Sequence, residues 1–292
     1  MITSVNNILK NRDGRQLFQA GTSLFPCSAY HCDIHDFISG DIAPHWHPEM
    51  EIFYLEEGCV TLSLIDQEVR LQAGDGYFVN VNVLHGIICE SESPCRYRSI
   101  VFDPALLSGA PGSAFDLLYL HPFMEQGAGF YPLSDAVISS YFVEAFHACE
   151  KEIYGYEFIV REALSHILLI LKNNQTVTLK KTLYQQEQRM KQMLSWIDEH
   201  YQESISVKEI AAIGGISVRE CQRSFASFLH ISPMRYVLKY RIAKAAELLL
   251  TQDFTITEIA YQCGFESSSY FTKEFKMMMH MTPRQFRQKY FI

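Results

Sequence analysis

Two short segments near the end of the chain carry polar side chains that are spaced to lie on one face of a helix. The first segment presents Arg219, Gln222 and Arg223. The second presents Ser268, Ser269, Thr272 and Lys273. Guanidinium, ammonium, amide and hydroxyl groups donate hydrogen bonds to phosphate oxygens and to the edges of DNA bases. These residue types therefore indicate binding to a polyanion, provided that the surrounding chain forms helices that expose them.

The two segments belong to a unit of about 50 residues that occurs twice in the chain. Residues 206–216 match residues 255–265 at an offset of 49. One extra residue in the second copy then shifts the offset to 50, so that Phe225 matches Phe275. This duplication argues against the alternative of a plain helical bundle with a solvated charged face.

Each copy is predicted to form a helix-turn-helix unit, at about 206–228 and 255–278. Capping boxes open the two first helices, Ser206 with Glu209 and Thr255 with Glu258. Gly215 and Gly264 stand where each first helix must end and the chain must turn, which favours a residue that tolerates positive φ.

The second helix of each copy begins at a serine cap, Ser217 or the run 267–269. Its apolar side chains recur at helical spacing and are expected to be buried; they are Cys221, Phe225, Phe228, Phe271 and Phe275. The polar side chains described above are then left on the opposite face. A connecting helix from Pro233 to about Leu250 spans about 25 Å, which suits two helices held about 34 Å apart, one turn of DNA.

The segment from about Arg189 to Tyr290 resembles the DNA-binding domain of the AraC/XylS family of bacterial transcription regulators. The residues that carry the resemblance are Ile210-Ala211, Gly215-Ile216-Ser217, Arg223, Phe225, Ser232-Pro233, Ile259-Ala260, Gly264 to Phe271, Phe275-Lys276 and Thr282-Pro283. The resemblance implies that both second helices enter adjacent major grooves of double-stranded promoter or operator DNA, and that RNA polymerase is a partner. The DNA-binding residues it implies are Ser217, Val218, Arg219, Gln222, Arg223, Ser267, Ser268, Ser269, Thr272 and Lys273. Cys221 departs from the family, which usually has a larger apolar residue there.

The N-terminal half has a different pattern, with short runs rich in Val, Ile, Phe and Tyr between Gly, Asp and Asn. Examples are residues 51–55, 60–65, 76–79 and 97–102. Several strands at this spacing predict an antiparallel barrel or sandwich. The pattern Gly40-x4-His45-Trp46-His47-x3-Glu51-x6-Gly58, followed by Gly74-Asp75-Gly76 and His85, resembles the cupin signature and the sensor barrels of AraC-family regulators.

By that resemblance, His45, His47, Glu51 and His85 match the metal ligands of metal-dependent cupins. Three imidazoles and one carboxylate suit zinc, iron, manganese or nickel. The alternative is a polar lining around a small effector, with no cofactor required. Two residues of the enzyme signature, Pro and Gly, are replaced here by Asn80 and Asn82. No separate acid, base or nucleophile accompanies the cluster in the sequence, so we expect a protein that is not an enzyme.

An effector is expected to bind inside the barrel, where aromatic side chains accompany the polar cluster. The predicted effector-binding residues are His45, Trp46, His47, Glu51, Phe53, Tyr77 and His85. Because side chains alternate along a strand, about half of them point into the barrel, and some of the aromatic residues are expected to be ordinary core.

Two helices are predicted after the barrel, in residues 133–175. Ser134 is expected to cap the first, which runs to about Ile153, and the second spans about Tyr156 to Lys172. The apolar side of the first helix is expected to consist of Val137, Ile138, Tyr141, Phe142, Ala145 and Phe146. That of the second is expected to consist of Ile159, Ala163, Ile167, Leu168, Ile170 and Leu171. In the resembling family such helices pair two subunits, and the alternative is that they only pack on the barrel. Residues 176–188 are interpreted as a linker.

Charge is divided unevenly along the chain, whose net charge is −8. Residues 1–184 contain 11 basic and 22 acidic residues, whereas residues 185–292 contain 14 basic and 11 acidic residues. This asymmetry indicates an acidic module joined to one that can approach a polyanion. No apolar run approaches the ~20 residues that a bilayer requires, so we expect no membrane partner. Eight scattered cysteines without a regular framework indicate reduced thiols in the cytoplasm.

The sequence therefore predicts an α+β protein with an N-terminal cupin-like β-barrel, two following helices and a C-terminal all-α double helix-turn-helix DNA-binding domain. The expected segments are 1–132, 133–175, 176–188 and 189–292. The expected function is sequence-specific regulation of transcription, controlled by a small-molecule effector in the barrel, with a homodimer among the expected partners. Two alternatives stay open: a cupin enzyme fused to a DNA-binding tail, and a regulator without a small-molecule effector.

Overall fold

A computed structural model describes residues 2–3, 20–37, 40–92, 94–126, 128–173 and 181–290. The chain divides into two compact units, with the division after Tyr184. Within the described residues, the strands belong to the N-terminal unit, and the secondary-structure elements of the C-terminal unit are helices joined by turns. The α+β fold class that the sequence predicts is therefore confirmed.

The strands of the described residues form two sheets. Their bounds are β1 (Ile2–Thr3), β2 (Cys27–Asp33), β3 (Ile42–His45), β4 (Met50–Leu55), β5 (Cys59–Leu64), β6 (Glu68–Gln72), β7 (Gly76–Val79), β8 (His85–Cys89), β9 (Arg96–Phe102) and β10 (Phe130–Leu133). One sheet has the order β1-β2-β9-β4-β7-β10 and the other the order β3-β8-β5-β6. The expected barrel is thus an arrangement of two sheets that do not close into one ring.

Strand β4 explains why this unit contains continuous apolar runs in its sequence. All six residues of Met50–Leu55 are buried, because one face of the strand joins the core between the sheets and the other is covered by helices. Phe53 and Leu55 belong to the core between the two sheets, whereas Ile52 and Tyr54 belong to the core between the six-stranded sheet and the helices. Strand β6 has one fully buried residue, Leu71, and reads as a mixed polar strand.

Helices cover the outer face of the six-stranded sheet. They are α1 (Ala105–Ser108), α2 (His121–Gln126), α3 (Ala136–Lys151) and α4 (Tyr156–Asn173), and a π-helical segment, Phe115–Leu120, precedes α2. The cap predicted for α3 was wrong by one residue: the Asp135 side chain, not Ser134, accepts a hydrogen bond from Val137 N at 2.8 Å. Most of the apolar residues predicted for the two stripes are buried, among them Phe142 and Ile167, but Val137 and Ile159 are 51% and 42% exposed.

The C-terminal unit consists of seven helices in its described residues. They are α5 (Lys181–His200), α6 (Val207–Ile213), α7 (Val218–Leu229), α8 (Pro233–Thr251), α9 (Ile256–Gln262), α10 (Ser268–Met279) and α11 (Pro283–Tyr290). Helix α5 begins inside the segment 176–188 that was interpreted as a linker, because Gln, Glu, Arg, Met and Lys are strong helix formers. Residues 176–180 of that segment lie outside the described residues.

The helix caps and turn glycines predicted for the repeat are confirmed. Both capping boxes form, at the start of α6 and of α9. Gly215 and Gly264 have φ of +62° and +77°, in the left-handed region that favours glycine. None of the helices in the described residues combines the length and the apolar character that a membrane crossing requires.

The repeat also contains a pair of arginine clamps that the sequence comparison did not single out. Arg241 donates from Nε to the carbonyl of Tyr201 at 2.7 Å and from Nη2 to that of Glu203 at 2.6 Å. In the second copy, Arg287 donates in the same way to Leu249 and Phe254, at 3.3 Å and 2.6 Å. Each arginine satisfies carbonyls at the end of the helix that precedes its unit, which fixes that helix against the unit.

Candidate functional site

Helix α7 is divided into a buried apolar face and an exposed polar face. Ser217 caps the helix by accepting a hydrogen bond from Glu220 N at 3.2 Å. The buried face consists of Cys221, Phe225 and Phe228, at most 2% exposed. The predicted DNA-binding side chains of this copy, Ser217, Val218, Arg219, Gln222 and Arg223, are all exposed at the start of the helix. The fold therefore brings these residues together on one surface.

Helix α10 repeats this division with a weaker polar face. Ser267 caps it through Tyr270 N at 3.4 Å. Ser269 and Lys273 are exposed, whereas Ser268 and Thr272 are half-buried and the Thr272 hydroxyl donates to the Ser268 carbonyl at 2.8 Å. A hydroxyl already engaged with its own helix has less to offer a ligand.

Two further residues expose their side chains on α10 without having been predicted as contacts. Lys276 follows Lys273 by three residues, a spacing that places both ammonium groups on neighbouring positions of the helix surface. Tyr270, 49% exposed, lies in the first turn. The three-residue spacing was the signal in the sequence that could have included Lys276.

A half-buried ion pair holds α10 on the connecting helix α8. Arg235 Nη1 lies 3.1 Å from Glu274 Oε2, and the Glu274 side chain is 9% exposed. Burying this carboxylate without its partner would leave an unpaired charge, so the pair fixes how α10 is held relative to α8.

The second candidate site is the cluster of His45, His47, Glu51 and His85 in the N-terminal unit. The four residues come from the end of β3, the turn after it, strand β4 and the start of β8. All four are buried, and their candidate ligand atoms lie within 4.8 Å of one another. Glu51 Oε2 is 3.4 Å from His47 Nε2 and 3.3 Å from His85 Nε2. The ring centroids of His45 and His85 are 4.3 Å apart.

Backbone carbonyls fix the orientation of all three imidazoles. The Nδ1 atoms of His45, His47 and His85 lie 2.9, 3.0 and 2.9 Å from the carbonyls of Ala43, Glu49 and Val83. A carbonyl only accepts, so each Nδ1 donates, and in a neutral ring Nε2 is then an unprotonated ligand atom. Metal-ligating histidines are commonly held in this way by a partner on the other nitrogen.

The Glu51 carboxylate is charged in this environment. Burial by itself raises the pKa of Glu51, but hydrogen bonds and positive charge from His47 and His85 outweigh burial and bring the pKa below its ordinary value. The lowered pKa of Glu51 therefore depends on a positive charge beside the carboxylate, either a proton on one of these imidazoles or a metal ion between them.

The donor types, three imidazoles and a carboxylate, suit a divalent transition metal, although the four ligand atoms spread over up to 4.8 Å. Ligand atoms bound about 2.1 Å from a tetrahedral ion lie about 3.4 Å from one another. The contacts of Glu51 with His47 and His85, at 3.4 and 3.3 Å, match that separation. Glu49 is an addition that the sequence analysis missed: its carboxylate, 6% exposed, lies 3.7 Å from His47 Nδ1.

A cavity of about 40 Å³ lies beside the cluster. Its lining is Tyr30, Phe37, Ile42, His45, Glu51, Tyr77, His85, Ile87, Tyr97, Ser99 and Val101. The Tyr77 hydroxyl is fully buried and has no hydrogen-bond partner among the described residues. Three of the predicted effector-binding residues do not line this cavity; they are Trp46, His47 and Phe53.

Phe53 instead belongs to the core between the two sheets. Its ring stacks on those of Tyr77 and Tyr97, with centroids 4.7 and 4.8 Å apart. The sequence showed the alternation of side chains but not which aromatic residues would pack on one another, because that depends on the strand order.

Both units match known families. Residues 36–168 match the AraC-like ligand binding domain and residues 210–289 match a helix-turn-helix domain. The HTH-type transcriptional regulator YdeC of Bacillus subtilis is 29% identical over 290 residues, which is 97% of this chain and 99% of YdeC. The HTH-type transcriptional activator RhaS of Klebsiella pneumoniae is 32% identical over 128 residues, 44% of this chain and 45% of RhaS.

Solved structures show likeness to parts or most of the chain. The DNA-binding domain of AdpA, in complex with a target DNA, is 30% identical with a TM-score of 0.33, covering 34% of this chain and 88% of that one. ToxT of Vibrio cholerae with a bound unsaturated fatty acid is 14% identical with a TM-score of 0.43, covering 85% of this chain and 89% of that one.

A ligand-binding domain followed by a double helix-turn-helix domain defines a transcription regulator. The full-length match is to a protein of the same class. The chain carries the AraC-like ligand binding domain and the helix-turn-helix domain, and its homologues are AraC-family transcription regulators, as its motifs predict.

Proposed function

We propose that the protein recognises promoter or operator DNA by inserting α7 and α10 into adjacent major grooves. The observation that carries this proposal is the exposed polar face that each helix presents directly after its serine cap. The proposed contacts are Ser217, Val218, Arg219, Gln222 and Arg223 from α7, and Ser267, Ser268, Ser269, Thr272 and Lys273 from α10. Arginine and glutamine side chains pair with base edges, while lysine and hydroxyl groups suit phosphates.

The connecting helix supports the spacing in this proposal. Helix α8 has 19 residues, which corresponds to about 28 Å at 1.5 Å per residue. Successive major grooves on one face of DNA are about 34 Å apart. Because α8 lies between the two helix-turn-helix units in the chain, we propose that its length sets the separation at which α7 and α10 address one face of the duplex.

Selection of binding sites from a random duplex library at near-physiological salt tests this proposal. The expected product is a two-part motif whose halves lie one helical turn apart, about 10 base pairs. A motif with a single half would overturn the assignment of α10 as a recognition helix. Transcription in vitro from the recovered site then tests RNA polymerase as the proposed partner.

Arg223→Ala distinguishes a base contact from a phosphate contact. If Arg223 reads a base, the substitution costs about 1–3 kcal/mol on the recovered site and relaxes specificity at one position. Equal weakening on all sequences would assign it to a phosphate. The matched control is Lys151→Ala, which removes one positive charge from an exposed position in the N-terminal unit.

For the N-terminal unit, we propose an effector site in the cavity beside the histidine cluster, with a divalent metal ion held by His45, His47, Glu51 and His85. Such an ion would supply a Lewis-acidic binding point for an oxygen or nitrogen atom of the effector. The backbone carbonyls of Ala43, Glu49 and Val83 orient the imidazoles. We propose that the site senses and does not catalyse, since the family matches concern regulators.

Elemental analysis of the purified full-length chain, dialysed against zinc, iron, manganese or nickel, tests the metal. We expect stoichiometric metal in the wild type, loss in His85→Ala, and retention in His121→Ala, which removes an exposed imidazole of the same unit. Equal metal content in all three proteins would leave the cluster as a polar lining. Bound metal together with turnover would support the cupin-enzyme alternative.

Control of DNA binding by the effector would be a shift between populations of the regulator. A ligand changes operator affinity only if it prefers one of those populations. Titration of operator DNA with and without each compound that shifts the melting temperature of the chain measures this coupling. Operator affinity that is the same with every such compound would refute effector control and favour the ligand-independent regulator.

We also propose a homodimer formed through α3 and α4. Val143, Phe158 and Leu169 expose 51%, 78% and 43% of their surface on these helices, and exposed apolar surface of this kind favours association. Phe158→Asp is expected to give monomers in analytical ultracentrifugation, whereas Leu24→Asp, at a 94% exposed position outside the helices, should not. A DNA partner and the free cysteines support the cytoplasm as the proposed location.

A further inference from the structure

The cavity beside the histidine cluster is lined by a tyrosine whose hydroxyl group no protein atom satisfies. Tyr77 is fully buried, and its hydroxyl has no hydrogen-bond partner among the described residues. Its ring stacks on Phe53 with centroids 4.7 Å apart, which fixes the ring and with it the phenolic oxygen. A buried hydroxyl without a partner costs free energy that a hydrogen bond to a ligand recovers. Tyr77 is therefore a donor available to an occupant of the cavity.

The register of β4 and β7 places Tyr77 near the cluster. Tyr77 pairs with Phe53, and Val79 pairs with Glu51. Residues two apart on a strand share a face, so Tyr77 and Glu51 occupy diagonal positions on one face of the six-stranded sheet. His85 belongs to the other sheet and lines the same cavity. An occupant therefore lies between the two sheets, beside the cluster and beside Tyr77.

The size of the cavity limits the occupant to a few atoms. Its volume is about 40 Å³. One water-sized group requires about 10–15 Å³, so about three or four non-hydrogen atoms fit. Apolar side chains complete the lining and suit a hydrogen atom or a methyl group on the occupant; they are Phe37, Ile42, Ile87 and Val101. A sugar or an aromatic acid exceeds this volume.

With the divalent ion proposed above in the cluster, the charge of the site favours an anion. Glu51 is the one carboxylate among the four proposed ligands, so it balances half of the charge of the ion. The buried carboxylate of Glu49 lies 3.7 Å from His47 Nδ1, whereas Glu51 faces Nε2 of that ring. Glu49 is also not part of the cavity lining. Because a buried charge is stabilised by an opposite charge, a monoanion suits the cavity.

We propose that the effector is a monocarboxylate of one or two carbon atoms, formate or acetate in size, a proposal that rests on the effector site and metal ion proposed above. A carboxylate oxygen accepts a hydrogen bond from the Tyr77 hydroxyl, and the negative charge balances the charge at the cluster. The hydrogen atom or methyl group at the other end packs on the apolar lining. An uncharged molecule of the same shape lacks the charge, and a larger acid exceeds the volume.

Titration of the cobalt-loaded, full-length chain with small molecules tests the proposal. Cobalt(II) accepts the same nitrogen and oxygen donors as zinc, and its visible absorption reports a change of its ligands. At constant ionic strength, we expect a saturable change of this absorption with formate and with acetate. Acetamide has the shape of acetate without its charge, and benzoate exceeds the volume, so neither should change the spectrum. An equal response to acetamide or to benzoate would overturn the proposed class of ligand.

The same titration separates a wrong ligand class from a wrong metal site. Bound cobalt with a spectrum that responds to neither formate nor acetate would leave the metal site intact and overturn the carboxylate effector. A chain that binds no cobalt, as measured by elemental analysis, would overturn the metal site and the carboxylate effector together.

Tyr77→Phe tests the hydroxyl and keeps the ring that stacks on Phe53. Without a ligand, its melting temperature should equal or exceed that of the wild type, because no hydrogen bond within the protein is lost. The acetate concentration at half-saturation should rise about 10- to 100-fold, which corresponds to a lost hydrogen bond to a charged group. An unchanged concentration at half-saturation would remove Tyr77 from the site.

Tyr131→Phe is the matched control for this substitution. The Tyr131 hydroxyl accepts a hydrogen bond from Ala128 N at 3.0 Å, and Tyr131 is not part of the cavity lining. Its loss should therefore lower the melting temperature and leave the acetate concentration at half-saturation unchanged. Equal weakening of acetate binding in both variants would show a general effect of destabilisation and overturn the role of the Tyr77 hydroxyl.

Discussion

Gly215 and Gly264 occupy the same place in the two helix-turn-helix units, yet replacing them with alanine should have different costs. Both have positive φ, +62° and +77°. A Cβ added at Gly215 would meet nothing within 4 Å, whereas a Cβ at Gly264 would lie 2.5 Å from the carbonyl oxygen of Tyr201 and 2.9 Å from that of Gln202. The repeat thus provides its own control for a steric effect.

The magnitudes follow from these contacts. Alanine in the left-handed region costs about 1–2 kcal/mol, and this is the whole expected cost at Gly215. At Gly264 the Tyr201 carbonyl must also move, and that oxygen accepts the 2.7 Å hydrogen bond from Arg241. Losing a hydrogen bond to a charged group costs about 1.5–3 kcal/mol. We therefore expect Gly264→Ala to destabilise the C-terminal unit by about 2.5–5 kcal/mol.

Urea unfolding followed by tryptophan fluorescence can measure this difference. The chain has 2 tryptophans, so a Trp46→Phe background leaves Trp196 as the reporter. Trp196 stacks on His200, with centroids 4.6 Å apart, at the end of the helix that Gly264 contacts. Gly215→Ala and Gly264→Ala would be compared in that background. Equal losses of unfolding free energy, or a larger loss for Gly215→Ala, would refute the steric argument.

Three other substitutions test packing and capping. Arg287→Ala should lower the free energy of unfolding by about 1.5–3 kcal/mol, because the carbonyls of Leu249 and Phe254 lose a charged donor; partial rescue by Arg287→Lys is expected in the same urea titration. Asp135→Ala should cost about 1 kcal/mol as the loss of the α3 cap, and calorimetry should show Ser134→Ala to be neutral. Phe275→Ala, at a fully buried position, should cost about 3–5 kcal/mol, and a loss below 1 kcal/mol would contradict the burial.

The C-terminal unit could be predicted well because its helix boundaries are determined by residues that are close together in the sequence. Caps, glycines and a buried stripe each depend on residues a few positions apart, and the duplication displayed all of them twice. The arginine clamps could not be found in this way, since Arg241 and Tyr201 are 40 residues apart and only the folded arrangement of helices brings them together.

The N-terminal unit was predictable in kind but not in detail. The resemblance to the cupin signature implied the cluster of histidines and Glu51, and the structure places the four residues together. The cap of α3 was wrong because Ser134 and Asp135 are both good caps, and the choice depends on how the chain leaves β10. Val137 and Ile159 were assigned to buried stripes because periodicity alone does not show which apolar residues face the sheet.

Helix α8 belongs to both helix-turn-helix units at once, as the last helix of the first and the helix that Arg287 clamps for the second. If the chain were divided between the two helix-turn-helix units, one of them would therefore lose the helix that completes its hydrophobic core. Neither half is a free-standing module, and exchange of recognition specificity by shuffling whole copies should fail. Recognition specificity should instead be changed by substituting the exposed residues of α7 or α10 one by one while both helix-turn-helix units stay intact.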